Sequence, residues 1–545
     1  MAVAGSKALG EKRKLEWCFL ILAGSTFFVW RLPILLWPQP FNIDEGHWAA
    51  CALKATYDFA PWRGFDATTS GPLNADVLVL PAIFGAPITL FSTRMIGCGL
   101  VIAAIYAFYF ITKWTHGPDS ARLALVPPIG FLALTWQWDF LHYSSEEFPI
   151  FLTTLGVAAG AYLLVGKRAR LRIAACLVGG LTSGAASFAK LQVIPVALAG
   201  AVFIAVMIHF TNGQRTQKRR ELIFLGLGLA AVPTAIAISL TLTNEWEDAI
   251  ISYISSAVVH VTSGATVGFD FFLGETVTYS VFASCALALM AIGAFALRGR
   301  WSFNNRSAAV SLWAGIFLLV SLVAIVTPRH AYPHYLLFSV LPLSYGLAVV
   351  FEFTRQAGLW KNRQTLLSAL VAAIFVLPGL SAVLAHPSPH LGEVRDLLTR
   401  FPGAYGGFLP FQNTAAQIQA IKRYAPPHTR VSIWGWMPHY YVQTQTIMAT
   451  RDAHTKPQLT PGPYQQYFRE RYLGDLRLNP PNVFVDAVAP GAFGYNQRAA
   501  DGFETFPALA AFIGENYRLA EEVGGVRIFV LKKEPARHQS DQHGG

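Results

Sequence analysis

Nothing constrains this chain more than the grouping of its apolar residues. Residues 17–37 read WCFLILAGSTFFVWRLPILLW, and a helix needs ~20 such residues to cross the hydrocarbon of a bilayer. Stretches of similar length and character recur near 90–112, 121–138, 148–165, 173–189, 192–210, 222–243, 276–297, 308–326, 335–352 and 364–386. A backbone that enters lipid must satisfy its own N–H and C=O groups, so such segments fold as helices. Charged residues make up 13% of the 545, where a soluble chain carries about a quarter. The expected architecture is an α-helical polytopic membrane domain of about eleven helices over residues 1–386.

The charges between these segments alternate along the chain. Lys113 with Arg122, the 167–172 cluster, Arg215 with Lys218, Arg219 and Arg220, Arg298 with Arg300 and Arg306, and Arg355 with Lys361 and Arg363 occupy every second loop. Short basic loops stay on the cytoplasmic side, so the N-terminus belongs there too. The opposite side receives Asp44, Glu45, Asp58, Asp66, Asp139, Glu146, Glu147, Glu245, Glu247 and Asp248. The net charge of +11 is thereby explained, with no nucleic-acid partner and no motif for one. The first apolar stretch is longer than a signal-peptide core and has no small-residue cleavage site, so it is read as a retained helix. The five cysteines, Cys18, Cys51, Cys98, Cys176 and Cys285, lack zinc or redox spacing, and none lies beyond 285.

An odd number of spans places 387–545 outside the cytoplasm. Here GEVRDLLTRF and TAAQIQAIKRYA read as amphipathic helices, and RVSIWGW, NVFVDAV and GVRIFVLKK as short strands, a pattern that predicts a small α/β domain. The ending, EPARHQSDQHGG, reads as a disordered tail.

Chemistry concentrates in the exterior loops. In FNIDEGHWAACALKAT the pair Asp44–Glu45 opens a helix whose Ala49, Ala50, Ala52 and Leu53 suit the membrane surface. The plain role for Asp44 is an N-cap; nearby His47, Trp48, Asp66 and the SGPLN run at 70–74 favour a site instead. In WQWDFLHYSSEEFPIF, Glu146 and Glu147 stand beside Asp139 and His142. Lys190 in SFAKLQVIP has no acidic neighbour in sequence, and Arg94 in FSTRMIG is equally isolated; snorkelling is the plain role for both. Arg329 and His330, followed by His334, form a cationic group where the positive-inside rule does not expect one, which suggests an anionic partner such as a phosphate. Gly-rich phosphate loops, H-E-x-x-H and G-x-S-x-G are absent from the sequence.

Taken together, IDEGHWAACAL at 43–53, SGPLNADVLVLPAIFG at 70–85, STR at 92–94, FAKLQVIP at 188–195 and PRHAYPHYLLFSVLP at 328–342 resemble the GT-C superfamily of membrane glycosyltransferases. The likeness is to bacterial relatives of protein O-mannosyltransferases and of the lipid A aminoarabinose transferase. It covers about 15–386; the W-W-D-Y-G motif of oligosaccharyltransferases is missing. The resemblance implies a cell-envelope enzyme of the bacterial inner membrane that moves one sugar, with inversion, from a polyprenyl-phosphate donor to a lipid, glycan or protein acceptor outside the cytoplasm. It implies Asp44 as general base and Glu45 as its helper, and no nucleotide. It assigns Arg94, Lys190, Arg329 and His330 to the carrier phosphate, with Glu146, Glu147, Asp66 and His334 binding substrate. A divalent metal ion, if used, falls to Asp44 and Glu45. The competing expectation is a transporter, or a polysaccharide polymerase or flippase component, without sugar transfer.

Overall fold

The computed structural model describes residues 2–135, 137–211, 213–268, 271–272, 277–296, 305–358 and 414–532. Ten of the eleven expected spans coincide with helices: α1 (Ala2–Leu35), α3 (Leu90–His116), α4 (Pro118–Leu134), α5 (Glu147–Tyr162), α6 (Ala169–Ala189), α7 (Ile194–Phe210), α8 (Arg215–Thr243), α10 (Val277–Ala296), α11 (Asn305–Val326) and α12 (Leu337–Gln356). Six segments, including α3, α6 and α8, are long and apolar enough to cross a membrane; the apolar parts of α10 and α11 are shorter. The span expected at 364–386, the 386/387 boundary, the helix expected at 392–401 and the tail lie outside the described residues.

Two further helices stand between spans. The short α2 (Ile43–Ala55) follows α1. A bent segment after α8 runs from Trp246–Ala249 through a π-helical turn at Ile250–Ser255 into α9 (Ser256–Ser263). Small residues set the closest helix contact: a Cβ on Gly180 of α6 would strike the Leu225 carbonyl of α8, and one on Gly228 the Leu177 carbonyl. Where lipid removes the hydrophobic drive between helices, such close backbone approach holds them together.

The C-terminal part is α/β, as expected. It contains α13 (Ala415–Tyr424), β1 (Arg430–Trp434), α14 (His439–Thr444), β2 (Ile447–Met448), α15 (Gln465–Leu478), β3 (Val483–Asp486), α16 (Pro507–Asn516), β4 (Tyr517–Val523) and β5 (Val526–Leu531). The sheet order is β2-β1-β3-β5-β4. β2, β1 and β3 are parallel, and the β4–β5 hairpin adds antiparallel to β3. The hairpin turns at Gly524 and Gly525, both at positive φ (57° and 82°), a conformation that glycine adopts without strain.

This α/β part is seated on α2, and that corrects one expectation. α2 does not lie open along a membrane surface: Trp48, Ala49, Ala50, Cys51 and Ala52 are all buried, in a core shared with Ile421, Val431 and Tyr440. Ala, Gly and Cys on every face let the helix be covered from both sides. Gly46 is needed for this, since a Cβ there would stand 2.7 Å from the backbone nitrogen of His439 on α14.

Candidate active site

The two acids that open α2 have different fates. Asn42, not Asp44, is the N-cap: its side chain accepts from the Asp44 N–H at 3.0 Å. Asp44 is half-buried, and its carboxylate makes no hydrogen bond among the described residues. Glu45 is fully buried and grips Arg94 of α3 in a fork, Nε–Oε1 2.6 Å and Nη2–Oε2 2.7 Å. The remaining Arg94 donors go to the carbonyls of Ile34 (2.9 Å), Trp37 and Gln39 (2.6 Å). Arg94 therefore has nothing left for a phosphate, and Glu45 nothing for an acceptor or a metal. They pin α2 to α3 and to the chain leaving α1.

Asp66 is also reassigned. Its Oδ2 accepts from Arg471 of α15 and from Ser252, each at 2.6 Å. Arg471 also binds Asp452 (2.6 Å) and Asp248 (2.9 Å), while Arg451 binds Glu245 and Asp248 (3.0 Å each) and Asp475 (3.1 Å). Asp66 thus belongs to an ionic clasp between the 56–72 and 244–255 segments and the α/β part.

What gathers around Asp44 comes from four stretches. Lys456, which follows α14 and β2 in the α/β part, feels Asp44 electrostatically: burial lowers its pKa and the carboxylate pulls it back up. Its ammonium stands 4.7 Å over the Trp436 ring. His47 feels Asp44 as well, and burial lowers its pKa despite that charge. Tyr332 and Tyr335 also feel this carboxylate. His260 of α9 stacks on His330 at 3.8 Å, and Tyr332 continues the column to His334. Burial, then His330, Lys456 and Lys190, push His260 down to about 3, so this imidazole is neutral.

Lys190 terminates α6 and does have an acidic neighbour: its ammonium pairs with buried Glu146, donates to Ser145 Oγ at 2.6 Å and lies 4.8 Å over the Tyr335 ring. Glu147 turns the other way, against Gly97 of α3, and its Oε2 has no partner among the described residues. Arg329 is exposed, at φ 57°, with no ion pair among the described residues. His330 has no anionic partner among the described residues; its Nε2 meets the His260 carbonyl at 2.9 Å.

A metal at Asp44 and Glu45 is not supported by this arrangement. A different group, Asp139, His142 and His334, brings ligand atoms within 4.8 Å of one another and is able to hold a divalent ion. Each member also has protein partners. Asp139 accepts from His334 Nδ1 (2.7 Å) and Asn42 (2.9 Å), and His142 Nδ1 meets the Tyr143 carbonyl at 2.7 Å. Burial opposes charge on His142, but the Asp139 hydrogen bond and charge outweigh it and push the imidazole up to about 9.

No family model and no curated protein sequence matches this chain. Solved structures do. ArnT from Cupriavidus metallidurans bound to undecaprenyl phosphate superposes with a TM-score of 0.57 at 15% identity, over 94% of this chain and 97% of that one. The apo state of the same protein gives 0.54 at 16%, over 97% and 98%. The fold is GT-C-like. In a GT-C-like frame the residues that sequence reasoning overlooked are Lys456, Trp436 and His260. Only a signal of which exterior segments meet, such as the match of small residues on α2 to α14, could have found them.

Proposed function

We propose that the protein transfers one sugar from a polyprenyl-phosphate carrier to an acceptor hydroxyl outside the cytoplasm, in a bacterial inner membrane with the N-terminus cytoplasmic and residues 387–545 exterior. The observation that carries the reading is Asp44: of Asp44, Glu45 and Asp66 it is the one without an ion pair among the described residues, it is half-buried, and it lies in the field of Lys456, whereas Glu147, also unpaired, has its Oε2 buried against Gly97. A carboxylate that a neighbouring cap frees from hydrogen bonding, and that no ion pair occupies, is available to take a proton as general base.

In this reading the acceptor oxygen attacks the anomeric carbon, its proton passes to Asp44, and the bond from carbon to the carrier phosphate breaks on the opposite face, inverting the centre. Lys456, Arg329 and the Lys190 ammonium supply positive charge where the phosphate departs. Glu146 holds Lys190 in place, and His330 and Tyr332 build an aromatic wall for the sugar. Asp139, His142 and His334 brace the loops whether or not they hold an ion. The carrier brings its own leaving group, so no nucleotide site is required.

The test is to incubate the purified full chain with a panel of labelled polyprenyl-phosphate sugars and a membrane extract as acceptor source. Release of free polyprenyl phosphate with label in the acceptor fraction is expected for one donor. Labelled sugar that crosses vesicles without being transferred would favour the transporter reading.

A further inference from the structure

A recess opens at the other end of α2 from Asp44. Lys54, on its wall, is ten residues after Asp44 on that helix, which at ~1.5 Å per residue separates the two by roughly 15 Å. The recess encloses about 690 Å³ between the first exterior loop and the α/β part.

Most of the charge lining it is already paired. Arg63 forks Asp58 at 3.0 and 2.7 Å, and Arg451 is shared by Asp475 and Glu245. Two cations are left over. The Lys54 ammonium donates to the Met448 carbonyl at 2.8 Å and forms no ion pair among the described residues. Arg430, at the start of β1, is exposed and has neither a hydrogen bond nor an ion pair for its guanidinium among the described residues. The two repel each other: burial lowers the Lys54 pKa, Asp475 and Asp58 pull it up, and Arg430 with Arg451 pushes it further down. Asp475 and Asp58 offset part of this repulsion without pairing with either cation, and an anion between the two would relieve the rest. Beside them Tyr57 presents a ring that is 53% exposed, with its hydroxyl fixed on His428 Nδ1 at 2.7 Å. A fixed, half-open aromatic face flanked by carboxylates and guanidinium groups suits a sugar ring and its hydroxyls.

We propose that this recess binds an anionic saccharide, with its carboxylate or phosphate group between Lys54 and Arg430 and a ring face against Tyr57. Arginine offers a planar fork to either oxyanion. The site is separate from the Asp44 group, so it does not depend on the transfer reading.

Direct binding to the detergent-solubilised full chain tests it, with trigalacturonate against maltotriose and glucose 6-phosphate against glucose. At least one acidic sugar should bind saturably, about tenfold or more above its neutral counterpart, and weaken as salt screens the contact. Whichever pair shows the larger ratio identifies carboxylate or phosphate as the preferred group. Arg430→Gln, at an exposed position that leaves the fold intact, should cost about tenfold in affinity, and Lys54→Gln with Arg430→Gln should abolish binding. Asp44→Asn should leave binding unchanged. Equal affinity for neutral sugars, equal binding of a glutamate-rich peptide, unaltered binding by Arg430→Gln, or no saturation at millimolar sugar would overturn the proposal.

Discussion

Glu45→Gln and Asp44→Asn alter adjacent acids of one helix turn, yet they should fail in opposite ways. Glu45 is 0% exposed and Arg94 2%, and the guanidinium cannot shed its proton when its partner is neutralised. Removing one member of such a pair costs about 3–5 kcal/mol, roughly a hundredfold to several thousandfold in the folding equilibrium. Glutamine retains one acceptor oxygen, which favours the lower end. The Asp44 carboxylate forms no hydrogen bond among the described residues, and Asn42 keeps the cap, so Asp44→Asn should cost at most about 1 kcal/mol through the helix dipole. Its transfer rate should fall ~10²–10⁴-fold if the base is lost. The assay is thermal unfolding in detergent and single-sugar turnover on the same preparations. Pairing Glu45→Met with Arg94→Met should recover part of the lost stability, because a buried pair is often replaceable by apolar residues. Recovery stays partial, since the carbonyls of Ile34, Trp37 and Gln39 lose their donor. Parent-like stability and no turnover in Glu45→Gln, with turnover retained in Asp44→Asn, would refute the division of labour.

Three further outcomes are expected. Lys456→Met should slow transfer by ~10²-fold or more while leaving the unfolding temperature near that of the parent, and unchanged turnover would remove Lys456 from the site. Arg471→Met strands Asp66, Asp248 and Asp452 at a cost of about 3–5 kcal/mol, so limited proteolysis should cut within 414–532 sooner; equal resistance would show that the clasp is dispensable. Burial, then the Asp248 hydrogen bond, push Glu245 up to about 7 against the pull of Arg451. A raised carboxyl pKa means that the native state holds the proton more tightly, so this contribution is full below about 4.5 and is lost as pH rises through 7. Glu245→Gln should therefore flatten the fall in unfolding temperature between pH 5 and 8, read by thermal scans; it should not abolish it, because burial raises the Asp452 pKa as well. A slope identical to the parent would exclude Glu245 as its source.

The helices were legible because their code is local. Long apolar runs bounded by charge gave ten matching helices, and alternation marked β1, β3 and β5. β4 escaped because YRLAEEV puts charge on an edge strand, and β2 because two residues carry no period. At the site, sequence could bring Asp44 and Glu45 forward but could not tell them apart, since what separates them is Arg94, 49 residues away, and Asn42, whose capping is a matter of geometry. Lys190 was expected to lack an acid and has one, because Glu146 reaches it across 44 residues. Lys456 was invisible for the same reason at larger scale: nothing in HTKP announces that it lies within the electrostatic reach of Asp44.

The burial of α2 on both sides has a consequence for the order in which the protein is made. Gly46 and its partner His439 are almost four hundred residues apart, which at about 5–20 residues per second is tens of seconds of synthesis. Through that interval the face of α2 later met by Ile421, Val431 and Tyr440 has no partner yet made. Chains cut short before the α/β part would keep that face open, so a stalled or truncated product presents a sticky surface beside an unfinished site. The α/β part is made well after α2, so the surroundings of Asp44 are completed only once that later segment docks.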